Sequence, residues 1–169
     1  MPTVAEMLKA TEAAVVSRVS LRDVNRAIDE RILPEAFVSI DNGRHILAGA
    51  CSFISFYFET AKRLTSEERL LAIRTVGPKL TRSRELAWAA LLREDWTVRD
   101  EFLTIDLRPF LKNTSDRMSD LETSREMVTS SDDVLGGTPV IHGTRVPVYD
   151  VAASVAAGHP IERILEAYP

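Results

Sequence analysis

The stretch SLRDVNRAIDERILPEAFVSIDNGRHIL, residues 20–47, decides how the front of the chain is read. Ser20 precedes Leu21, Val24 and Ile28, spaced three and four apart as along one face of a helix. Its hydroxyl can accept from a free backbone N–H of the first turn, and Asp23, three residues on, imitates the carboxylate of a capping box. Leu21, Val24, Ala27 and Ile28 are expected to face inward, Arg22, Asp23, Asn25, Arg26 and Asp29 outward, and Pro34 to stop a helix running to about Ile32. Residues 37–40 and 44–47 then flank Asp41-Asn42-Gly43, where Asn and Gly supply the positive φ angles of a tight turn, so a β-hairpin is predicted.

Working outward, an apolar run from Thr11 to Val16 breaks at Ser17-Arg18-Val19 and predicts a first short helix. Helix, turn, helix and hairpin in that order is the layout of a winged helix-turn-helix, whose second helix enters the major groove. On that reading Arg22 and Arg26, with Asn25 between them, are the base-reading candidates, because Arg pairs with guanine edges and Asn with adenine. Arg18 in the inter-helix turn and Arg44 beside the hairpin turn are candidates for backbone phosphate. Asn42 at the wing tip and His45 on the wing strand complete the DNA-binding set, with plain solvent exposure the competing reading for His45. Asp23, Asp29 and Glu30 support a rival view in which the helix side is an ordinary charge-balanced surface.

Downstream, residues 48–64 carry Phe53, Ile54, Phe56, Tyr57 and Phe58 over more than half of a helical surface, predicting a largely buried helix. Thr65 and Glu68 form a capping box for a helix that Gly77-Pro78 is expected to close, and residues 83–93 predict another. Residues 96–98 and 102–107 predict a second hairpin across Arg99-Asp100-Glu101. After Pro109 the positions Leu111, Thr114, Met118, Leu121, Arg125 and Val128 mark an amphipathic connector helix. Its two polar interruptions favour packing on its own domain over a dimer seam. Ser130-Ser131-Asp132-Asp133 reads as a hydrophilic joint. The expected class is mainly α with short β-hairpins (α+β), in three parts: a winged helix-turn-helix over 1–80, a helix, hairpin and connector helix over 81–129, and a helix-turn-helix-like module over 130–169.

With 169 residues, 45% hydrophobic and 27% charged, the chain has the composition of a folded globular protein. No apolar run approaches the roughly 20 residues of a membrane span, and no signal peptide opens the chain, so a cytoplasmic protein is expected. The single cysteine, Cys51, lies in an apolar segment and reads as core in a reducing compartment. Residues 1–84 hold 13 Lys and Arg against 10 Asp and Glu, while residues 85–169 hold 8 against 15, so the front is basic and the back acidic. Such an asymmetry suits a polyanion at one end and a different partner at the other.

In residues 134–169, VLGGTPVIHGTRVPVYDVAASVAAGHPIERILEAYP, glycine turns enclose a short strand that returns through Val146-Pro147-Val148. A small-residue helix opened by Asp150 and closed by Gly158 then leads through His159-Pro160 into a last helix carrying Ile161, Ile164 and Leu165. This block resembles the domain-of-unknown-function 433 family at Gly137, Pro139, Gly143-Thr144-Arg145, Val148, Gly158 and Tyr168-Pro169. The resemblance implies a type II antitoxin similar to VapB, with a VapC-like ribonuclease toxin of the PIN fold as partner. The front half looks like the MerR-type winged helix that precedes this module in longer members. In that family the module continues through another helix beyond the Tyr-Pro pair, so a shortened module is expected here.

No catalytic pattern meets its spacing. His45, His142 and His159 stand in separate segments without Cys or His partners, so no metal site is expected. Cys51 lacks an activating base, and Gly136-Gly137 lacks the Lys and Ser/Thr of a phosphate loop. No enzyme and no cofactor are expected. Arg145 is read as bonding the module's own hairpin carbonyls. The expected function is a dimeric antitoxin that neutralises its toxin and binds operator DNA to repress its own operon, since two half-sites multiply the affinity of a short recognition helix. Two alternatives stand beside it: a MerR-like regulator with an effector pocket around Phe56, Tyr57 and Trp88, and a protein-interaction scaffold that has lost DNA contact.

Overall fold

Strand pairing begins earlier than the sequence suggests. In a computed structural model covering residues 1–169, β1 (Met7–Lys9) buries Leu8 between two exposed neighbours and pairs antiparallel with β3 (His45–Leu47), Leu8 opposite Ile46. Three residues are too few for a period-2 alternation to mark β1 in the sequence. β2 (Val38–Ser39) pairs on the other side of β3, giving the order β1-β3-β2. The predicted hairpin is present with shorter strands: Ser39 pairs with His45 across a loop in which Asn42 (φ 55°) and Gly43 (φ 103°) take the left-handed region. Phe37 belongs instead to a 3-10 turn and is buried edge-on against Phe53.

The two predicted front helices form. α1 (Ala10–Ser17) ends where Arg18 turns left-handed at φ 58°. α2 (Leu21–Asp29) starts at the Ser20 cap, whose Oγ accepts from the Asp23 N–H at 3.1 Å. Val24 and Ala27 are fully buried as expected, whereas Leu21 is 43% exposed because it lines the groove between α2 and the hairpin. The helix stops well before Pro34. Arg31 takes φ 55°, and the Leu33 N–H folds back onto the Ala27 carbonyl, the closure a helix makes when its end turns left-handed.

After a 3-10 turn at Ala48–Ala50, α3 (Cys51–Glu59) buries every residue from Cys51 to Tyr57. It is shorter than the 48–64 span expected. Gly49 is close-packed: a Cβ there would lie 2.8 Å from Val4 and 3.0 Å from Leu80. α4 (Ser66–Ser83) begins at the predicted Thr65–Glu68 capping box but runs through Gly77-Pro78. Its buried stripe of Ala72, Ile73, Val76, Leu80 and Ser83 continues past the pair, and Pro78 lies on the exposed side. Packing therefore outweighs two local helix breakers. Residue 80, the expected domain boundary, consequently lies inside α4.

The helix expected over 83–93 is reduced to one turn, α5 (Trp88–Leu91). β4 (Thr97–Asp100) and β5 (Leu103–Asp106) make the second hairpin, with Arg99 and Asp100 in the strand and the turn narrowed to Glu101-Phe102. α6 (Arg108–Glu126) buries Leu111, Thr114 and Met118, and the Thr114 hydroxyl donates to the Phe110 carbonyl at 2.8 Å, which satisfies the polar interruption locally.

The chain divides into two units, Met1–Asp120 and Leu121–Pro169. The first holds nearly all of the core, around Trp96, Phe37, Phe53, Phe56 and Leu111. In the second, β6 (Val128–Thr129) pairs with β7 (Val140–Ile141), so the hydrophilic joint at 130–133 lies between two paired strands rather than ahead of the module. The return strand is a single bridge from Val140 to Pro147. α7 (Val148–Ala156) starts three residues earlier than expected, and α8 (Ile161–Ala167) follows Gly158 at φ 75°. The molecule is thus a mostly helical α+β protein with small antiparallel sheets, and no helix is long and apolar enough to cross a membrane.

Candidate nucleic-acid interface

Of the predicted site residues, Asn25, Asn42, Arg44 and His45 meet where α2 adjoins the β2–β3 hairpin, Arg22 and Arg26 lie on the neighbouring surface of α2, and Arg18 stands apart in the turn between the helices. Arg44, next to the hairpin turn, donates from Nη2 to Asp29 Oδ1 at 2.8 Å and from Nη1 to Asn25 Oδ1 at 3.2 Å. Both partners are on α2, four residues apart and therefore on one face. A groove of about 440 Å³ runs between the elements, bordered by Lys9, Leu21, Asn25, Gly43 and Arg44. Arg44 is thus engaged in holding the hairpin rather than extended from its tip. Asn25 is half-buried and spends its carbonyl oxygen on Arg44.

Arg22 and Arg26 point out from α2 one turn apart. Arg22 is exposed in the first turn. Arg26 is held by Glu30, Nε to Oε1 at 2.8 Å, and its guanidinium lies 5.8 Å from the Phe58 ring centroid. The contact with Glu30 raises its already high pKa, so it stays a cation at every working pH. Both side chains are open to solvent, which screens the pair, so Glu30 is readily exchanged for another anion. Arg18 is exposed at the left-handed residue between the helices, Asn42 is exposed in the hairpin turn, and half-buried His45 turns Nδ1 to within 3.2 Å of the Gly43 carbonyl.

Sequence spacing named the cations of this surface but not their partners. Asp29 and Glu30 read as outward charges; Glu30 meets Arg26 one helical turn away, and only the fold shows that Asp29 meets Arg44 of the hairpin. A second tie was not legible at all. Arg117 of α6 donates to the Val16 carbonyl at 3.2 Å and to Ser55 Oγ at 3.4 Å, while Ser55 Oγ donates to the Ser17 carbonyl at 2.6 Å. These bonds occupy carbonyls that the last turn of α1 leaves free, just ahead of the turn into α2. Partners 101 and 62 residues away carry no local signal.

The aromatics weighed as an effector pocket are core. Phe56 is buried edge-on to Phe110 at 5.4 Å, Arg69 covers Tyr57 at 4.0 Å, and Trp88 is 6% exposed.

The family model described as a protein of unknown function (DUF433) matches residues 128–169, which coincide with the β6–α8 part of the second unit. The uncharacterized protein y4eO of Sinorhizobium fredii (strain NBRC 101917 / NGR234) is 75% identical over 169 residues, all of this chain and 76% of its own length. No solved structure matches the chain. Identity at that level extends through both units, so beyond its DUF433 region the chain belongs to the family of y4eO.

Proposed function

We propose that the protein is an antitoxin-like regulator that binds operator DNA through its first unit as a winged helix-turn-helix and captures a ribonuclease toxin through its DUF433 unit. The observation that carries the reading is the pairing of Arg44 with Asn25 and Asp29, which sets the hairpin beside α2 with Arg22 and Arg26 outward. A helix held beside a hairpin can enter the major groove while the hairpin lies along the backbone. Arg22 and Arg26 are the base-reading groups; Arg18 and Asn42 orient the protein on phosphate. The protein would bind as a dimer, one copy per half-site.

The reading is tested by fluorescence anisotropy on the DNA upstream of the coding sequence, in a salt series. Affinity should fall steeply with salt, and replacing Arg22 with Ala should weaken binding by about 1–3 kcal/mol if it reads a base, or reduce the salt slope by about one if it meets phosphate. Binding that is absent, or indifferent to salt and to Arg22→Ala, overturns the DNA half. Co-purification with a small ribonuclease encoded beside it tests the toxin half.

The scaffold reading has one observation in its favour. The two outward arginines of α2 share their helix with Asp23, Asp29 and Glu30, and the first unit as a whole carries 18 cations and 18 carboxylates. The expected basic front is therefore neutral at the scale of the folded unit, and DNA binding must come from local placement of charge rather than from a basic surface.

A further inference from the structure

The second unit is short of core. Of its 49 residues, Val140 is the one buried hydrophobic side chain, while Tyr149, Val155, Ile161 and Leu165 of α7 and α8 are each more than 60% exposed. A unit this small is at the margin of what a hydrophobic core sustains without another surface to close on. Large apolar side chains left in the open on one helix pair mark where that surface fits.

The charge around those aliphatics selects the partner. Along α8, Ile161 and Leu165 are one turn apart, and so are Glu162 and Glu166, so an aliphatic row is bordered by a carboxylate row. Ile164 and Tyr168, on the other side of the aliphatic row, are half-buried. The unit as a whole carries seven carboxylates against three arginines, a net −4 that accounts for the entire charge of the protein. A second copy is disfavoured as the occupant. Antiparallel two-fold pairing through α8 sets Glu162 and Glu166 beside the same residues of the other copy, where like charges are costly, and parallel pairing sets them beside the apolar Ile164 and Tyr168 with no cation to meet.

From this we infer that the exposed aliphatic row of α8 docks a cationic protein, with Ile161 and Leu165 seated in an apolar groove and Glu162 and Glu166 paired to Lys or Arg on its rim. This is helix-in-groove recognition, aliphatic anchors supplying affinity and the acidic row choosing the partner. The inference rests on the partner-binding half of the reading above and is independent of the DNA half.

The test places a photo-crosslinking amino acid at position 165 of the full chain in its native host and identifies the adduct. The captured protein is then purified and titrated against wild type, Leu165→Asp and Glu162→Lys/Glu166→Lys at 50 and 300 mM salt. The expected result is a basic protein whose binding weakens at least tenfold with Leu165→Asp, and at least tenfold with the charge reversal, which also removes the salt dependence. Helical content by circular dichroism should match wild type in both variants, since all three side chains are exposed. An adduct with a second copy, with the chain's own first unit, or with nothing overturns the inference, and so does binding indifferent to the charge reversal. A basic partner that is not a ribonuclease leaves the docking face standing and removes the toxin reading. A ribonuclease that co-purifies but crosslinks from elsewhere does the reverse.

Discussion

Cys51 and Arg117 show what a single side chain does in this molecule. Burial pushes the Cys51 thiol up to about 12 from an ordinary value of 9, because a thiolate in an apolar core has no solvent to stabilise it. The folded protein should therefore resist thiol reagents at pH 8 and react only on unfolding, which labelling with a chromogenic disulfide in 0 and 6 M guanidinium will show. The sign of the linkage follows. Below pH 9 the thiol is protonated in both states and contributes no pH dependence. Between 9 and about 12 the unfolded chain releases a proton that the folded chain keeps, so stability falls as pH rises through that window. Arg117 acts through geometry instead. Removing it by Arg117→Ala frees the Val16 carbonyl and withdraws a charged donor, at an expected cost of about 1.5–3 kcal/mol. Urea unfolding followed by circular dichroism measures it, and Arg117→Lys should recover part of the loss.

At the scale of elements, α4 sets tertiary packing against local propensity. Pro78 is an interior helix position that lacks an N–H for the Arg74 carbonyl, and its ring crowds the preceding turn. Since Pro78 is exposed, Pro78→Ala should restore that bond without disturbing the core and raise stability by about 1–3 kcal/mol, read as an increased denaturation midpoint. An unchanged or lowered midpoint shows that the helix is already relaxed around the proline. The same contest explains which elements were legible. Ser20 and Thr65 each announce a helix start through bonds closed within four residues, and Asn42-Gly43 announces a hairpin through backbone angles. The end of α4, the reduction of α5 to one turn, and β1 all depend on what packs against them, and single-segment periodicity carries none of that.

At the scale of the whole molecule, the two units differ in how much apolar surface they remove from water. The first buries α3 from Cys51 to Tyr57 and, in α4, Ala72, Ile73, Val76 and Leu80, whereas the second buries Val140 and leaves its helices half-open. Local opening free energy follows buried contacts, so amides of α7 and α8 should exchange with deuterium faster than those of α3 by at least a hundredfold. Exchange mass spectrometry on the full chain reads this directly, and the cationic partner inferred above should slow α8 and leave α3 unchanged. Equal protection of α3 and α8 in the free chain would mean that the second unit closes its core unaided. For the candidate site, the cations, the turn and the one-turn spacing of Arg26 and Glu30 are present in the sequence, but the Arg44–Asp29 pair, 15 residues apart, came only with the fold.

Sequence alone determined what is settled over a few residues: the caps of α2 and α4, the turn of the first hairpin, the buried face of α3, and the glycine-punctuated motif of the second unit. For the caps and glycine turns the decisive hydrogen bond or dihedral lies within one turn of the chain, and for α3 apolar residues cover so much of the helix surface that burial follows from composition alone. Tertiary structure decided the rest: α4 passing through Gly77-Pro78, the unit boundary falling within α6, the clamp of Arg44 on α2 and the tie of Arg117 to α1. Those are set by groups many residues apart that meet only once the chain has closed, where burial and pairing energies outweigh the smaller local preferences.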